Sequence, residues 1–115
     1  MNRNQLLENI IEDSEKINSN IFSLMRIILL ALSTYFIDGL QFRELKTALK
    51  VSDGKLASNL RFLIKSGYIS ENQTTLDKKK IKFYSVTPDG RNEIDKILKW
   101  MKLIKLLFVE EKNES

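Results

Sequence analysis

The sequence predicts a mainly α-helical fold with one small β-hairpin, an α+β arrangement in a single domain. Apolar residues recur at three- and four-residue spacings over most of the chain, which is typical of amphipathic helices. Strand-like residues are confined to three short runs, which are Leu40–Phe42, Tyr68–Glu71 and Ile81–Val86. A chain of 115 residues with 43% hydrophobic residues has room for one packed core. We therefore expect residues 1–115 to form one domain.

Two amphipathic helices are predicted in the N-terminal third. The first, over residues 1–17, carries an apolar stripe of Leu6, Leu7, Ile10 and Ile11. The second covers the strongly apolar stretch 21–36. Asparagine and serine side chains at 18–20 are candidates for its N-cap, and Asp38-Gly39 would end it, because glycine tolerates the positive φ of a helix stop.

Two shorter helices are predicted in the middle of the chain, separated by a tight turn. The first covers Arg43–Leu49, and Lys50-Val51 then turns the chain. Ser52 and Asp53 are N-cap candidates for the next helix, Gly54–Ser66. The buried stripe of that helix consists of leucines at spacings of four and three, Leu56, Leu60 and Leu63.

A hairpin and a long final helix complete the prediction. Gly67 is placed to cap the preceding helix, and two strands follow, joined by a link that contains Asp77–Lys80. Thr87-Pro88 is a favourable helix start, with threonine as N-cap and proline at the first helical position. We expect the last helix over 88–109 and a frayed polar tail over 110–115.

The middle of the chain holds all of the excess positive charge. The whole chain has a formal net charge of +4. Residues 41–82 contain ten Lys or Arg against four Asp or Glu, whereas residues 1–40 contain three against five and residues 83–115 six against six. A cationic segment of this kind favours a polyanionic partner such as nucleic acid.

The element order and the charge together predict a winged helix-turn-helix that binds duplex DNA, with the second short helix in the major groove and the hairpin, the wing, on the backbone or in the minor groove. The side of that helix opposite its leucine stripe carries residue types that pair with phosphates or base edges, and the hairpin adds lysines. The predicted DNA-binding residues are Ser52, Asp53, Gly54, Lys55, Ser58, Asn59, Arg61, Phe62, Lys65, Lys78, Lys79, Lys80 and Lys82.

Several residues in this set have a simpler structural explanation. Polar residues on the outside of a helix are found in any soluble domain, and three lysines in a turn can serve to protect an edge strand. Asn59 is predicted to pair with adenine, whereas Phe62 would either touch a thymine methyl group or pack under the wing. The element order and the hairpin lysines together favour DNA binding over an ordinary solvated surface.

The middle and late parts of the chain also resemble a known family, the winged-helix regulators of the MarR and ArsR type, particularly the short archaeal ones. The resemblance covers about residues 20–107 and is carried by the stretches Leu45–Leu49, Ser52–Leu60, Ser66–Ile69 and Phe83–Arg91. It implies a DNA-binding role for residues 52–61 and for the wing. Family members that sense metals do so through Cys or His, and this chain contains neither, so metal sensing is not implied.

The composition also restricts enzymatic functions. Without Cys or His, the chain lacks disulfides, thiolate or imidazole metal ligands, thiol nucleophiles and Ser-His-Asp triads. Its acidic residues show no clustering that suggests a carboxylate pair or a metal cage. We therefore expect no enzyme activity, no metal and no cofactor.

The terminal helices expose more apolar surface than one small domain can cover, which predicts a homodimer. In the last helix the apolar residues fall at alternating spacings of three and four, as in a heptad seam. The predicted dimerisation residues are Leu6, Leu7, Ile10, Ile11, Ile94, Ile97, Met101, Ile104 and Phe108. Alternatively, the seam folds back on its own domain. The lysines between its apolar residues would also suit a helix that lies on an anionic membrane. They recur every three residues, however, and so do not stay on one side of the helix, which disfavours this alternative.

The sequence thus predicts a cytoplasmic, sequence-specific, double-stranded DNA-binding transcription regulator that acts as a homodimer. No secretory signal is visible, and the apolar run 21–37 contains Arg26 and several polar residues, which favours a core helix over a membrane span. The main alternative is a winged-helix module for protein–protein interaction within the transcription machinery, because a fold does not determine a function.

Overall fold

The computed structural model describes the backbone of residues 1–114 and the side chains of residues 1–109. Its elements in chain order are α1 (Arg3–Glu15), a 3-10 turn (Ser19–Ile21), α2 (Leu24–Tyr35), β1 (Leu40–Gln41), α3 (Phe42–Leu49), α4 (Asp53–Lys65), β2 (Ile69–Leu76), β3 (Lys79–Val86) and α5 (Pro88–Glu114). This succession confirms the predicted fold class, mainly α-helical with a small β-wing.

Helix α2 begins later than predicted, because the expected cap serves another element. The Asn18 side chain accepts a hydrogen bond from the Asn20 backbone N–H at 3.0 Å and starts the 3-10 turn, which buries Ile21 completely. Ser23 is the true N-cap of α2, and its Oγ accepts from the Arg26 backbone N–H at 3.2 Å. The prediction of a cap at 18–20 was therefore wrong for this helix.

The three strands form one antiparallel sheet in the order β1-β3-β2. The loop between β2 and β3 is only Asp77-Lys78, and both residues have positive φ, as in the two-residue turns that match strand twist. The ladder therefore starts at once with Leu76 opposite Lys79. Both strands are longer than predicted, so Lys79 and Lys80 belong to β3 and not to the link between the strands.

The core lies where α2, α3, α4 and the root of the hairpin meet. Its fully or almost fully buried side chains come from every one of these elements and from the first half of α5, and they include Leu29, Leu30, Leu45, Leu56, Leu63, Ile69 and Ile97. The stripe predicted for α4 is confirmed, since Leu56, Leu60 and Leu63 are at most 2% exposed. Burial of this stripe determines which side of α4 faces outward.

Helix α5 is longer than predicted and continues to Glu114. Its first half packs on α1 and α2, and Trp100 Nε1 donates to the Ile10 carbonyl oxygen at 3.1 Å. The side chains of the predicted tail 110–115 lie outside the described residues, so its fraying stays a prediction. Within the described part of the chain, none of the helices combines the length and apolar character that crossing a bilayer requires.

Candidate nucleic-acid interface

Helices α3 and α4 form a helix-turn-helix because both sides of the turn are locally determined. Lys50 adopts the left-handed conformation at the end of α3. Ser52 then caps α4, with its Oγ accepting from the Lys55 backbone N–H at 3.2 Å. An ion pair between Lys46 Nζ and Asp53 Oδ1, 2.6 Å apart, joins the two helices across the turn. Two predicted interface residues, Ser52 and Asp53, therefore organise the turn itself.

The outward side of α4 is polar, cationic and exposed. Its residues lie opposite the buried leucines, as the helical periodicity predicts, and they are Gly54, Lys55, Ser58, Arg61 and Lys65. Among the side chains that the structure describes, the three cations of this set form no ion pair. Their ammonium and guanidinium groups are thus available to a ligand, and their contact with DNA stays a prediction.

Asn59 and Phe62 do not belong to this outward side, because they face α2. Arg26 Nε donates to Asn59 Oδ1 at 3.1 Å, and Asn59 Nδ2 donates to the Lys55 carbonyl oxygen at 2.9 Å. The Arg26 guanidinium also stacks over the Phe62 ring, 3.7 Å from its centroid. Both side chains are half-buried and have partners within the chain, which weakens the predicted roles in base reading.

Strand register divides the lysines of the hairpin between two faces. Tyr84 lies opposite Glu71 and is buried, so its face of the hairpin is the one that turns toward the core. Lys80 and Lys82 share that face because side chains alternate along β3, whereas Lys79 lies on the other face. Lys78 occupies the turn. The predicted lysines therefore do not act as one group at the tip.

One lysine on the core side of the wing has an acidic partner. Lys82 Nζ lies 3.3 Å from Glu71 Oε1 on the neighbouring strand. Burial raises the pKa of the nearby Tyr84 hydroxyl, the charge of Glu71 raises that pKa further, and Lys82 partly opposes the shift. The root of the wing is therefore a mixed-charge site next to a phenol.

The predicted dimerisation residues differ in their exposure within the single chain. Leu6, Ile94 and Ile97 are at most 3% exposed within one chain, because α1 and α5 pack on each other and on α2. The start of the predicted seam thus belongs to the chain's own core. Four members remain exposed, namely Leu7, Ile11, Met101 and Phe108, and Ile10 and Ile104 are half-buried. Leu98, Leu106 and Val109 add to the exposed apolar side of α5.

A partly buried polar junction between α5, the segment after α1 and the residue before β2 was not predicted. Glu93 is 4% exposed, and its Oε2 accepts from the Asn18 backbone N–H at 2.8 Å. Asn18 Nδ2 in turn donates to the Tyr68 hydroxyl at 3.0 Å. Asn18 thus links Glu93 of α5, 75 residues away in sequence, to Tyr68 at the start of the hairpin, 50 residues away. No local pattern reveals it, although an acidic residue next to Ile94 in an apolar helix is a weak signal.

This arrangement defines a class of protein. A helix-turn-helix whose second helix is capped and has an exposed cationic side, followed by a β-hairpin with lysines on both faces, is the architecture of a winged helix-turn-helix protein that binds nucleic acid.

Comparison with known proteins agrees with that class. The family model of the winged helix DNA-binding domain matches residues 25–104. A comparison with curated protein sequences found no match. The chain belongs to the winged helix DNA-binding domain family.

Solved structures show which variant of the fold it has. The crystal structure of MarR is similar with 24% identity and a TM-score of 0.67, over 96% of this chain and 83% of that one. The S. aureus MepR–DNA complex is similar with 17% identity and a TM-score of 0.69, over 96% and 86%. NadR in complex with 4-hydroxyphenylacetate is similar with 16% identity and a TM-score of 0.63, over 98% and 75%. The fold is thus of the MarR type, as the resemblance implied.

Proposed function

We propose that the protein is a sequence-specific, double-stranded DNA-binding transcription regulator that acts as a homodimer in the cytoplasm. Helix α4 enters the major groove, and the wing contacts the backbone or the adjacent minor groove. The observation that carries the proposal is the outward side of α4, where Lys55, Ser58, Arg61 and Lys65 are exposed together. These residue types supply both phosphate contacts and hydrogen bonds to base edges.

The shape of the single chain supports the dimer. Its radius of gyration is 17.5 Å and its extents are 63 × 24 × 23 Å, whereas a compact domain of this size has a radius near 13 Å. Helix α5 accounts for much of this length, because its 27 residues span about 40 Å. The exposed apolar residues on α1 and on the second half of α5 would be covered by the same helices of a second copy.

Selection of bound fragments from random duplex DNA tests the proposed function, followed by titration of the selected site at several salt concentrations. We expect a palindromic site and an affinity that falls steeply with salt. Lys80→Ala should weaken binding equally on all sequences and flatten the salt slope by about one unit, since a single phosphate contact is lost. No salt-sensitive binding at micromolar protein would overturn the proposal.

A second candidate function is a protein-interaction module. It is favoured by large apolar side chains on α2 and the segment after it, where Leu24 and Tyr35 are 82% and 74% exposed and Phe36 and Ile37 are also exposed. Failure to select any duplex, together with stable capture of a transcription-machinery protein that Leu24→Glu abolishes, would favour this alternative.

A further inference from the structure

The space between α4 and the wing has a defined relation to DNA if the proposed function is correct. Major and minor grooves are separated by the sugar-phosphate backbone of one strand. A protein with a helix in one groove and a hairpin at the next therefore straddles that backbone. The cleft between the two elements must then face phosphates.

The structure contains such a cleft, with a volume of about 250 Å³. Apolar side chains of α3 and α4 form part of its wall, and its polar lining consists of Arg61, Glu71, Lys82 and Tyr84. Arg61 comes from the outward side of α4, whereas the other three come from the two strands of the wing. Two cations on opposite walls are suited to hold one phosphate between them.

A carboxylate already occupies part of this site. Glu71 lies opposite Tyr84 in the ladder, and its Oε1 is 3.3 Å from Lys82 Nζ. The side chains of Lys82 and Glu71 are 61% and 38% exposed, so both can change partner without unfolding the hairpin. Glu71 and Tyr84 both line the cleft, and the pKa of the Tyr84 phenol is raised by burial and, further, by the negative charge of Glu71.

We propose that a DNA backbone phosphate binds in this cleft between Arg61 and Lys82, and that Glu71 takes the place of that phosphate on Lys82 when DNA is absent. The proposal rests on the proposed function and adds a role for an acidic residue that the sequence alone did not single out. The phosphate displaces the Glu71 carboxylate from Lys82 on binding. This competition is the same for every DNA sequence, because it involves only the backbone. Glu71 therefore weakens binding to any duplex, and the discrimination between DNA sequences depends on base contacts alone.

Neutralising Glu71 tests the proposal. Glu71→Gln should tighten binding to specific and random duplexes alike by about threefold to fivefold, the size expected for an exposed ion pair. The salt slope should steepen by up to about one unit, because Lys82 then meets the phosphate without a competing carboxylate. The matched control is Glu12→Gln, which changes the net charge equally at an exposed position of α1.

A double-mutant cycle with Lys82→Gln separates a local effect from a general charge effect. If Glu71 acts through Lys82, the gain from Glu71→Gln should shrink to less than half in the Lys82→Gln background. An equal gain in both backgrounds, or an equal gain from Glu12→Gln, would overturn the role of Glu71. Arg61→Gln should weaken all duplexes, and an unchanged affinity would exclude the cleft as a phosphate site.

These outcomes are distinct from failure of the proposed function. Wild-type protein that binds selected duplexes with a steep salt dependence, while Glu71→Gln has no effect, would leave the function intact and remove Glu71 from it. Wild-type protein that binds no duplex would overturn both. Thermal unfolding of each variant, compared with wild type, shows that the hairpin is still folded when a loss of binding is interpreted.

Discussion

Arg26 determines what two residues of helix α4 can do. Its guanidinium group reaches from α2 to α4, donates to Asn59 and stacks on Phe62, and it also donates to the Asn20 carbonyl oxygen at 2.5 Å. The amide oxygen of Asn59 thus accepts from Arg26, and its amide nitrogen donates to the Lys55 carbonyl oxygen. Ser58, one residue earlier, is exposed on the outward side. Neighbouring residues of α4 thus have different tasks.

Alanine substitutions at these two positions should have contrasting effects. Ser58→Ala should change which base is preferred at one position of the selected site, with a discrimination of about 1 kcal/mol, and leave stability nearly unchanged. Asn59→Ala should lower the free energy of unfolding by about 1 kcal/mol through loss of the Arg26 bond. It should weaken binding without changing the preferred sequence.

Selection from random duplexes gives the sequence preference, and thermal or denaturant unfolding gives the stability. A changed base preference in Asn59→Ala with unchanged stability would mean that Arg26 releases Asn59 when DNA binds. In that case the sequence-based assignment of Asn59 to adenine would be correct after all.

The junction between the hairpin and α5 depends on a close backbone contact. Gly90 lies in the first turn of α5 and is buried, and a Cβ atom there would fall on the carbonyl oxygen of Tyr68. That carbonyl already accepts from the Thr87 backbone N–H at 3.0 Å, so it cannot move away without weakening this hydrogen bond next to the start of α5. The angle between the wing and α5 therefore requires glycine at this position.

Gly90→Ala should destabilise the protein by about 2–3 kcal/mol, because the added methyl group overpacks a backbone contact. The matched control is Gly54→Ala in α4, where an added Cβ would have no atom within 4 Å. This control should stabilise by about 0.5–1 kcal/mol, since alanine is the better helix former. Denaturant unfolding of both variants measures the difference.

Equal stability of the Gly90 and Gly54 variants would show that α5 can shift away from Tyr68 at little cost. The Asn18–Glu93 and Asn18–Tyr68 hydrogen bonds would then be too weak to hold the wing at its angle to α5.

The molecule as a whole is elongated, and its single core does not bury all of its large apolar side chains. Exposed apolar residues lie along α5, from Leu98 near its middle to Met101 and Phe108 in its second half. Such a surface on a small protein is costly in water unless another chain covers it. In the proposed homodimer, the helix that completes the core of each chain would therefore also supply the surface for pairing.

Charges on this surface should separate the subunits. Leu98→Glu combined with Met101→Glu should convert a dimer into a monomer in sedimentation or light-scattering measurements, because the carboxylates would have to be buried without partners. Loss of the dimer should also lower the affinity for the palindromic site, since a single subunit contacts only one half-site.

Ile37→Glu is the control for this pair of substitutions, because it places a carboxylate at another exposed apolar residue, outside α1 and α5. It should remain dimeric and bind as wild type does. A monomeric wild-type protein, or a dimer that the α5 substitutions leave intact, would contradict pairing through α5.

The order of elements, the leucine stripe and outward side of α4, and the concentration of positive charge were all predictable from the sequence. They depend on periodicity, capping residues and turn residues within a few positions of one another. The pairing of Arg26 with Asn59, the division of the wing lysines by strand register, the Glu71–Lys82 ion pair and the burial of Ile94 and Ile97 were decided only by the tertiary structure. Each of these joins elements distant in sequence or depends on their exact packing, which local spacing does not encode.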